Sequence, residues 1–323
     1  MMKKIAVFTS GGDSPGMNAC IRAVVRTCIF YKIEVMGILR GYDGMIKGEF
    51  IALDAKSVAN IIQLGGTVLK TARSKEFLTE PGRKRAIENL KKNNIDGIVA
   101  IGGDGTFRGA LALSKECSIK MVGCPGTIDN DLVGTDFTIG YDTAINTVVQ
   151  AVDKLRDTAE SHDRLFFVEV MGRDAGLIAL RAGIGVGAEA ILMPETKTDV
   201  SHLVNRLKNK RKSKNSKIII IAEGDVAGGV FNIAEKVKKE LPEYDIRVTI
   251  LGHVQRGGSP SAMDRVYSSR MGFSAVEALI AGKNNVMIGI INKDIAYTPF
   301  DKAVKHTEIL NEELLRMLEI LSI

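Results

Sequence analysis

The sequence predicts an α/β protein of two Rossmann-like, three-layer lobes with mainly parallel sheets. Three observations predict it. Short apolar runs such as Ile5–Thr9, Gly97–Ile101 and Ile218–Ala222 recur along the chain, each of strand length and without polar alternation, as central parallel strands are. Most of them end in a glycine-containing turn, among them Ser10-Gly11-Gly12-Asp13, Ile101-Gly102-Gly103-Asp104-Gly105 and Met171-Gly172-Arg173-Asp174-Ala175-Gly176. Helical stretches of crossover length lie between them, which argues for βαβ units, and ligands of such sheets sit at the carboxyl ends of the strands.

Taken in order, Ile5–Thr9 is the first strand and runs into the turn Ser10–Gly16. A helix follows over Met17–Tyr31, and Val35–Leu39 is the next strand, stopped by Gly41-Tyr42-Asp43-Gly44. A weaker helix covers Lys56–Leu64, and a polar turn, Thr71-Ala72-Arg73-Ser74, follows Thr67–Lys70. The helix Arg83–Asn93 leads to the strand Gly97–Ile101, and the helix Phe107–Glu116 leads to the buried strand Ile119–Cys124, which Pro125 and Gly126 stop. In the second half the helix Ala144–Ala159 precedes the strand Leu165–Val170, and Pro194 stops the strand Ala190–Met193. The helix Val200–Asn209, a basic loop and the strand Ile218–Ala222 come next. The helix Asn232–Glu240, the strand Arg247–Leu251 and the turn Gly252–Gly258 complete the alternation, with final helices over Ala262–Ala281 and Asn311–Ile320.

The totals narrow the function. A chain of 323 residues buries a large core and divides into two lobes. No apolar run approaches the length of a membrane span, and the start, MMKKIAVFTSGGD, reads as a strand rather than a leader peptide. The four cysteines (Cys20, Cys28, Cys117, Cys124) lack CxxC spacing, so reduced thiols in a cytoplasmic protein are expected rather than zinc. The net charge of +6 is not interleaved with aromatics and there is no Trp. A base-stacking nucleic-acid surface is therefore not expected; arginines beside glycine turns point to small phosphorylated ligands.

The chemistry concentrates in two loops. Pro125–Asp131, PGTIDND, carries Asp129 and Asp131 on a turn after a buried strand; an ordinary polar turn has the same composition. Upstream, Gly102, Gly103 and Gly105 let backbone approach a polyphosphate, with a helix start offering amides and Asp104 set to hold Mg²⁺. A tight turn with an N-capping Asp is the other reading. Together the loops contain what phosphoryl transfer needs: amides for phosphates, an acid for metal and an acid for a proton. Gly11 and Gly12 form a similar loop at the first strand, and Arg22 and Arg26, one turn apart on one helix face, suggest a second phosphate site.

Six segments in register carry a resemblance: GGDSPGMN at 11–18, IGGDGT at 101–106, PGTIDND at 125–131, MGRDAG at 171–176, AEG at 222–224 and GHVQRGG at 252–258. With them the chain resembles the bacterial ATP-dependent 6-phosphofructokinase family. The resemblance implies Mg²⁺-dependent phosphoryl transfer from ATP to the 1-hydroxyl of fructose 6-phosphate, giving fructose 1,6-bisphosphate and ADP, in a cytoplasmic, allosterically regulated homotetramer. It implies a nucleotide lobe of residues 1–139 plus about 253–305 and a sugar-phosphate lobe of 140–252 plus about 306–323.

The implied roles fall residue by residue. Asp129 takes the hydroxyl proton, Asp131 is its runner-up, Thr127 binds the transferring group, and Arg173 and Arg73 offset phosphoryl charge. Gly12, Tyr42, Arg73, Ser74, Gly103, Asp104, Gly105 and Thr106 hold the nucleotide. Thr127, Ile128, Asp129, Met171, Gly172, Arg173, Glu223, Val254 and Gln255 belong to the sugar site, and Arg164, Arg247, His253 and Arg256 clamp its phosphate. Arg164 and Arg247 are expected to come from a neighbouring subunit. An effector site for ADP and phosphoenolpyruvate takes Arg22, Arg26, Arg156, Gly187, Glu189, Lys212 and Lys214, with Glu189 near the effector's Mg²⁺; Lys208, Lys210 and Arg211 read as solvated loop. Glycine at 105 and 126, where pyrophosphate-dependent relatives carry Asp and Lys, is expected to leave room for ATP. Two other readings stand beside this one. An NAD or lipid kinase built on GGDGT leaves His253 and Arg256 without a task. A non-catalytic nucleotide sensor is expected to have lost Asp104, Asp129 or Arg173.

Overall fold

The computed structural model describes residues 2–161, 164–196, 199–209, 217–224, 228–305 and 312–321. Its strands are β1 (Lys4–Thr9), β2 (Glu34–Ile38), β3 (Phe50–Leu53), β4 (Gly97–Gly102), β5 (Lys120–Pro125), β6 (Arg164–Val170), β7 (Ala190–Leu192), β8 (Lys217–Ala222), β9 (Asp245–Ile250), β10 (Val286–Ile291) and β11 (Asp294–Pro299). The helices of the first half are α1 (Met17–Phe30), α2 (Gly41–Lys47), α3 (Glu80–Lys92), α4 (Asp104–Ser114) and α5 (Tyr141–Glu160). Those of the second half are α6 (Leu177–Gly185), α7 (Val200–Asn209), α8 (Gly229–Glu240), α9 (Ala262–Ile280) and α10 (Glu312–Leu321).

The chain forms two units. The first is Met1–Ile128, Leu132–Thr143 and Arg256–His306; the second is Asp129–Asp131, Ala144–Gln255 and Thr307–Ile323. The first unit holds a seven-stranded sheet in the order β11-β10-β5-β4-β1-β2-β3. Its five inner strands are parallel, while β3 and β11 run antiparallel at the edges. Alternate residues of β1 feed opposite cores. Ile5 and Val7 pack with Val24 and Val25 of α1 and Ala275 and Leu279 of α9; Ala6 and Phe8 pack with Met45 of α2, Leu90 of α3 and Phe107 of α4. Burial on both faces explains why these strands read as unbroken apolar runs. The order of neighbours reverses between β1 and β4, the crevice where open α/β sheets bind ligands.

The second unit holds a parallel sheet in the order β7-β8-β6-β9. Leu165 and Phe167 of β6 and Ile219 and Ile221 of β8 pack with Leu203 and Leu207 of α7 and Ile233 and Val237 of α8. On the other face Gly183 of α6 lies against Ile191 and Ile220, where a Cβ would meet Ile191 Cδ1 at 2.3 Å.

Three local expectations change. The helix expected over Lys56–Leu64 is a series of turns. Asp54 Oδ1 accepts the Ser57 N–H at 2.8 Å and Asn60 takes φ 56°, which breaks a helical path. The turn expected at 41–44 is instead helix α2, and Gly44 is there for close approach: its Cβ would sit 1.8 Å from the Leu39 carbonyl oxygen. The hairpin β10–β11 was not expected, because its two-residue turn is Asn292-Lys293, with φ 50° and 75°, rather than the Asn-Gly that signals such turns.

Candidate active site

In the first unit the carboxyl ends of β1, β4 and β5 bring three loops together. Ser10 N–H donates to the Ile101 carbonyl at 3.0 Å, and Gly126 N–H donates to the Gly102 carbonyl at 2.9 Å. The Thr106 hydroxyl donates to the Ser10 carbonyl at 3.3 Å. Thr127 is adjacent to the glycine turn: a Cβ on Gly103 would lie 3.8 Å from Thr127 Cβ. Gly12, Gly103, Asp104, Gly105, Thr106 and Thr127 therefore share one neighbourhood. The first turn of α4 supplies helix N–H groups there, the ordinary setting for a phosphate.

The two glycines expected to admit ATP differ. A Cβ at Gly105 meets nothing within 4 Å, so the space is open. At Gly126 a Cβ would meet Met17 Cε at 2.8 Å and the Gly102 nitrogen at 3.3 Å. Glycine stands at 126 to let β5 approach β4 and α1.

Asp104 lies in the first turn of α4, its carboxylate accepting from Arg108 Nε at 2.9 Å and paired with Arg108 Nη2 at 2.7 Å. Among the described residues no group of three or more His, Cys, Asp and Glu converges. One carboxylate beside an open glycine turn would suit a divalent cation held mainly by water and ligand oxygens, not an all-protein cage.

Tyr42 packs against the start of α4. Its ring is buried, stacked on Phe77 at 3.9 Å and tilted on Phe8 at 4.9 Å, and its hydroxyl donates to the Thr106 carbonyl at 2.6 Å. It braces the glycine turn from behind, and burial pushes its phenol pKa up. Ser74 caps the short 3₁₀ turn Glu76–Leu78 by accepting the Phe77 N–H at 3.3 Å, while Arg73 is exposed. Arg256 lies on the first glycine loop: its Nη1 donates to the Asp13 carbonyl at 3.4 Å, and a Cβ on Gly12 would sit 2.6 Å from it.

The second unit includes Asp129–Asp131. Asp129 is 2% exposed and Asp131 is also buried, with Asn130 between them at φ 53°. Arg173 Nε lies 3.4 Å from Asp129 Oδ2. Arg173 itself holds a left-handed backbone, φ 53°, after Gly172 at φ 142°. Glu223 Oε1 accepts the Arg173 N–H at 2.8 Å, and a Cβ on Gly224 would collide with the Arg173 carbonyl oxygen at 1.9 Å. Glu223 thus fixes Arg173. Buried Gln255 accepts the Met171 N–H at 3.2 Å and donates to the Gly252 carbonyl at 3.0 Å; it is structural, whereas His253 and Val254 are exposed.

Arg164 and Arg247 meet on Asp245 Oδ2, at 2.9 and 3.1 Å. The two guanidiniums, Arg164 first, hold the Asp245 carboxyl below its ordinary pKa. Arg164 opens β6, whereas Arg173 follows its carboxyl end. At about 3.3 Å per residue, Arg164 and Val170 are separated by roughly 20 Å of strand.

Arg22 and Arg26 lie on one face of α1, half-buried and exposed. In the second unit Arg156 donates to the Val186 carbonyl, next to Gly187 at φ 60°, and Glu189 is buried just beyond. Lys212 and Lys214 lie outside the described residues. Sequence reasoning passed over Thr138 and Gly140, which pack on Thr127 and Ile128, and Asp264, which accepts the Gly140 N–H; the one local signal for Asp264 is its N-capping partner, Ser261.

The chain is thus an α/β protein whose first unit carries a glycine-lined switch point with a carboxylate at a helix start, and whose second unit pairs a buried Asp with an Arg. The family model "Phosphofructokinase" matches residues 4–279, and the chain belongs to that family. It is 55% identical over 323 residues to the ATP-dependent 6-phosphofructokinase 2 of Bacteroides thetaiotaomicron, covering 100% of this chain and 99% of that one. It is 53% identical to the ATP-dependent 6-phosphofructokinase 1 of Thermus thermophilus, covering 100% of both. The structure of phosphofructokinase from Saccharomyces cerevisiae superposes with a TM-score of 0.87 at 37% identity, over 99% of this chain and 47% of that one, so this chain spans about half of the yeast chain. A pyrophosphate-dependent phosphofructokinase from Marinobacter aquaeolei, at 22% identity and TM-score 0.87, shares the fold.

Proposed function

We propose that this chain transfers the γ-phosphoryl group of ATP to the 1-hydroxyl of fructose 6-phosphate, with Asp129 as the general base. The observation that carries the assignment of the base is the buried Asp129 carboxylate with the Arg173 guanidinium 3.4 Å away. In the reaction the sugar oxygen bonds to the γ-phosphorus as the bond to the β-bridging oxygen breaks. The hydroxyl proton passes to Asp129 and ADP leaves. The carboxylate supports proton departure in the transition state, worth about 10²–10⁴ in rate. Arg173 meets the charge on the phosphoryl oxygens. Asp104 and the phosphates would hold Mg²⁺, which when bound neutralises the β- and γ-oxygens.

The α4 amides and Gly103 cradle the polyphosphate, and the open space at Gly105 admits a nucleotide where an Asp side chain would not. ATP as donor accords with the ATP-dependent relatives that this chain matches over its whole length. Sugar phosphate is bound by His253 of the same chain together with Arg164 and Arg247 of a neighbouring copy. The roughly 20 Å of strand between Arg164 and the Arg173 turn supports this sharing, because one hexose phosphate does not span it. A homotetramer in the cytoplasm, regulated by ADP and phosphoenolpyruvate through Arg22, Arg26, Arg156, Gly187 and Glu189, completes the reading. No helix of the described residues is long and apolar enough to cross a membrane.

A coupled assay with Mg·ATP and fructose 6-phosphate tests the activity; no product sinks it. Asp129→Ser is expected to lower kcat by about 10²–10⁴ while fructose 6-phosphate affinity holds. A loss of affinity with kcat preserved would mean that another group is the base.

A further inference from the structure

Asp264 is a buried carboxylate, 4% exposed, with no part in the chemistry above. It lies in the first turn of α9, where Ser261 caps the helix by accepting the Asp264 N–H at 3.1 Å. Its own oxygens turn outward from the helix to another segment. Oδ1 accepts the Gly140 N–H and Oδ2 accepts the Thr143 N–H, both at 2.8 Å, and Oδ2 also accepts the Thr143 hydroxyl. That hydroxyl oxygen in turn accepts the Ser261 N–H at 3.0 Å. Asp264 thereby closes a ring between the starts of α9 and α5.

The segment it grips runs alongside the catalytic loop. Ile139 pairs with Gly126 in a parallel bridge, and Ile139 N–H donates to the Pro125 carbonyl at 2.8 Å. The Thr138 hydroxyl donates to the Thr127 carbonyl at 2.5 Å. Gly140, at φ 102°, is packed so tightly that a Cβ would meet Ser14 Cβ at 2.5 Å, and Ile128 Cγ2 and Pro15 Cδ at 3.2 Å. Gly16 closes the other side: its Cβ would lie 3.0 Å from Ile139 and 3.6 Å from Asp264 Cβ. One buried carboxylate thus sits under both the first glycine loop and the loop that leads into Asp129.

We propose that Asp264 is a positioning residue for phosphoryl transfer, holding the Thr138–Thr143 segment so that Pro125–Ile128 and Ser14–Gly16 keep the geometry the reaction requires. The inference rests on the reading of Asp129 as the base. The chemistry of the site calls for a carboxylate in particular. Two of the three groups it accepts from are backbone N–H donors, so an amide in its place would set its own NH₂ against at least one of them. Because catalytic geometry tolerates little displacement, slack in this segment costs rate before it costs affinity.

The test measures kcat and KM per folded protein, well below each variant's own Tm, for wild type, Asp129→Ser, Asp264→Asn, Thr143→Val and Thr143→Ser. Asp264→Asn is expected to lower kcat by about 10–100-fold with both KM values within about threefold. Thr143→Val should lose about 3–10-fold and Thr143→Ser, which keeps the hydroxyl, should return to within about twofold of wild type. The inference is overturned if folded Asp264→Asn has wild-type kcat, or if Thr143→Ser is as slow as Thr143→Val. Should Asp264→Asn fail to fold, the Thr143 pair decides alone. An inactive wild type, or an Asp129→Ser that keeps its kcat, would instead remove the underlying reading of the site.

Discussion

Arg173 reaches Asp129 from a strained backbone: its Nε is 3.4 Å from the carboxylate while its φ is 53°. A left-handed, non-glycine residue costs about 1 kcal/mol or more, and here Glu223 and Gly224 hold it in place. The strain serves to present the guanidinium.

This separates two contributions of one residue. Arg173→Ala should lower kcat by about 10²–10³, the scale of losing one transition-state charge partner. Arg173→Gly should be equally slow but more stable than Arg173→Ala by about 1 kcal/mol, read from urea midpoints, because glycine adopts the backbone freely. Equal stability of the Ala and Gly variants would argue against strain at 173.

The two donor-site glycines should respond differently. Gly105→Asp meets open space, so Tm should stay within about 2 °C while KM for ATP rises by about tenfold or more. Gly126→Lys meets Met17 and should destabilise by about 1–3 kcal/mol through overpacking. If Gly126→Lys is as stable as wild type, the crowding at Met17 is relieved by repacking.

Asp264 gives stability a pH dependence. Burial pushes its carboxyl from 3.8 up to about 6, with the hydrogen bonds from Thr143 and Gly140 pulling the other way and nearby Asp142 adding to the rise. The folded value lies above the unfolded one, so folding favours the protonated form. That stabilisation is full below the unfolded value and is lost as pH rises through about 6. A shift of this size corresponds to about 3 kcal/mol. The stability of wild type relative to Asp264→Asn should therefore fall between about pH 4 and pH 7, in urea titrations of both. A constant difference would mean that the carboxyl keeps its ordinary pKa.

Arg22 and Arg26 share one face of α1. Replacing both with Ala should abolish the response of the fructose 6-phosphate saturation curve to ADP, read as the midpoint with and without the nucleotide. An unchanged ADP response would remove α1 from the effector site.

The alternation of β and α elements, and the glycine loops after β1 and β4, are legible because period and punctuation are local properties of the sequence. Asp104 falls in the first turn of α4, and Arg173 follows β6 and pairs with Asp129. What was not legible depends on distant partners. Nothing near Tyr42 announces that its ring stacks on Phe77. Nor does anything around Asn18 show that its amide donates to Leu64 and Gly65 carbonyls and its oxygen accepts the Val68 N–H, tying α1 to the glycine turn after Leu64. The crowding of Gly126 against Met17 and the Gly102 nitrogen likewise comes from neighbours in space that its neighbours in sequence do not announce. Asp264 was passed over because its partners are more than a hundred residues away.

The far-end pairing of Arg164 and Arg247 on Asp245 has a genetic consequence. If those arginines serve another copy's sugar, a chain lacking its base and a chain lacking its clamp are each dead as pure preparations. Mixed and reassembled, they would form hybrids in which some clefts combine an intact base with an intact clamp, so activity would return from two inactive parents.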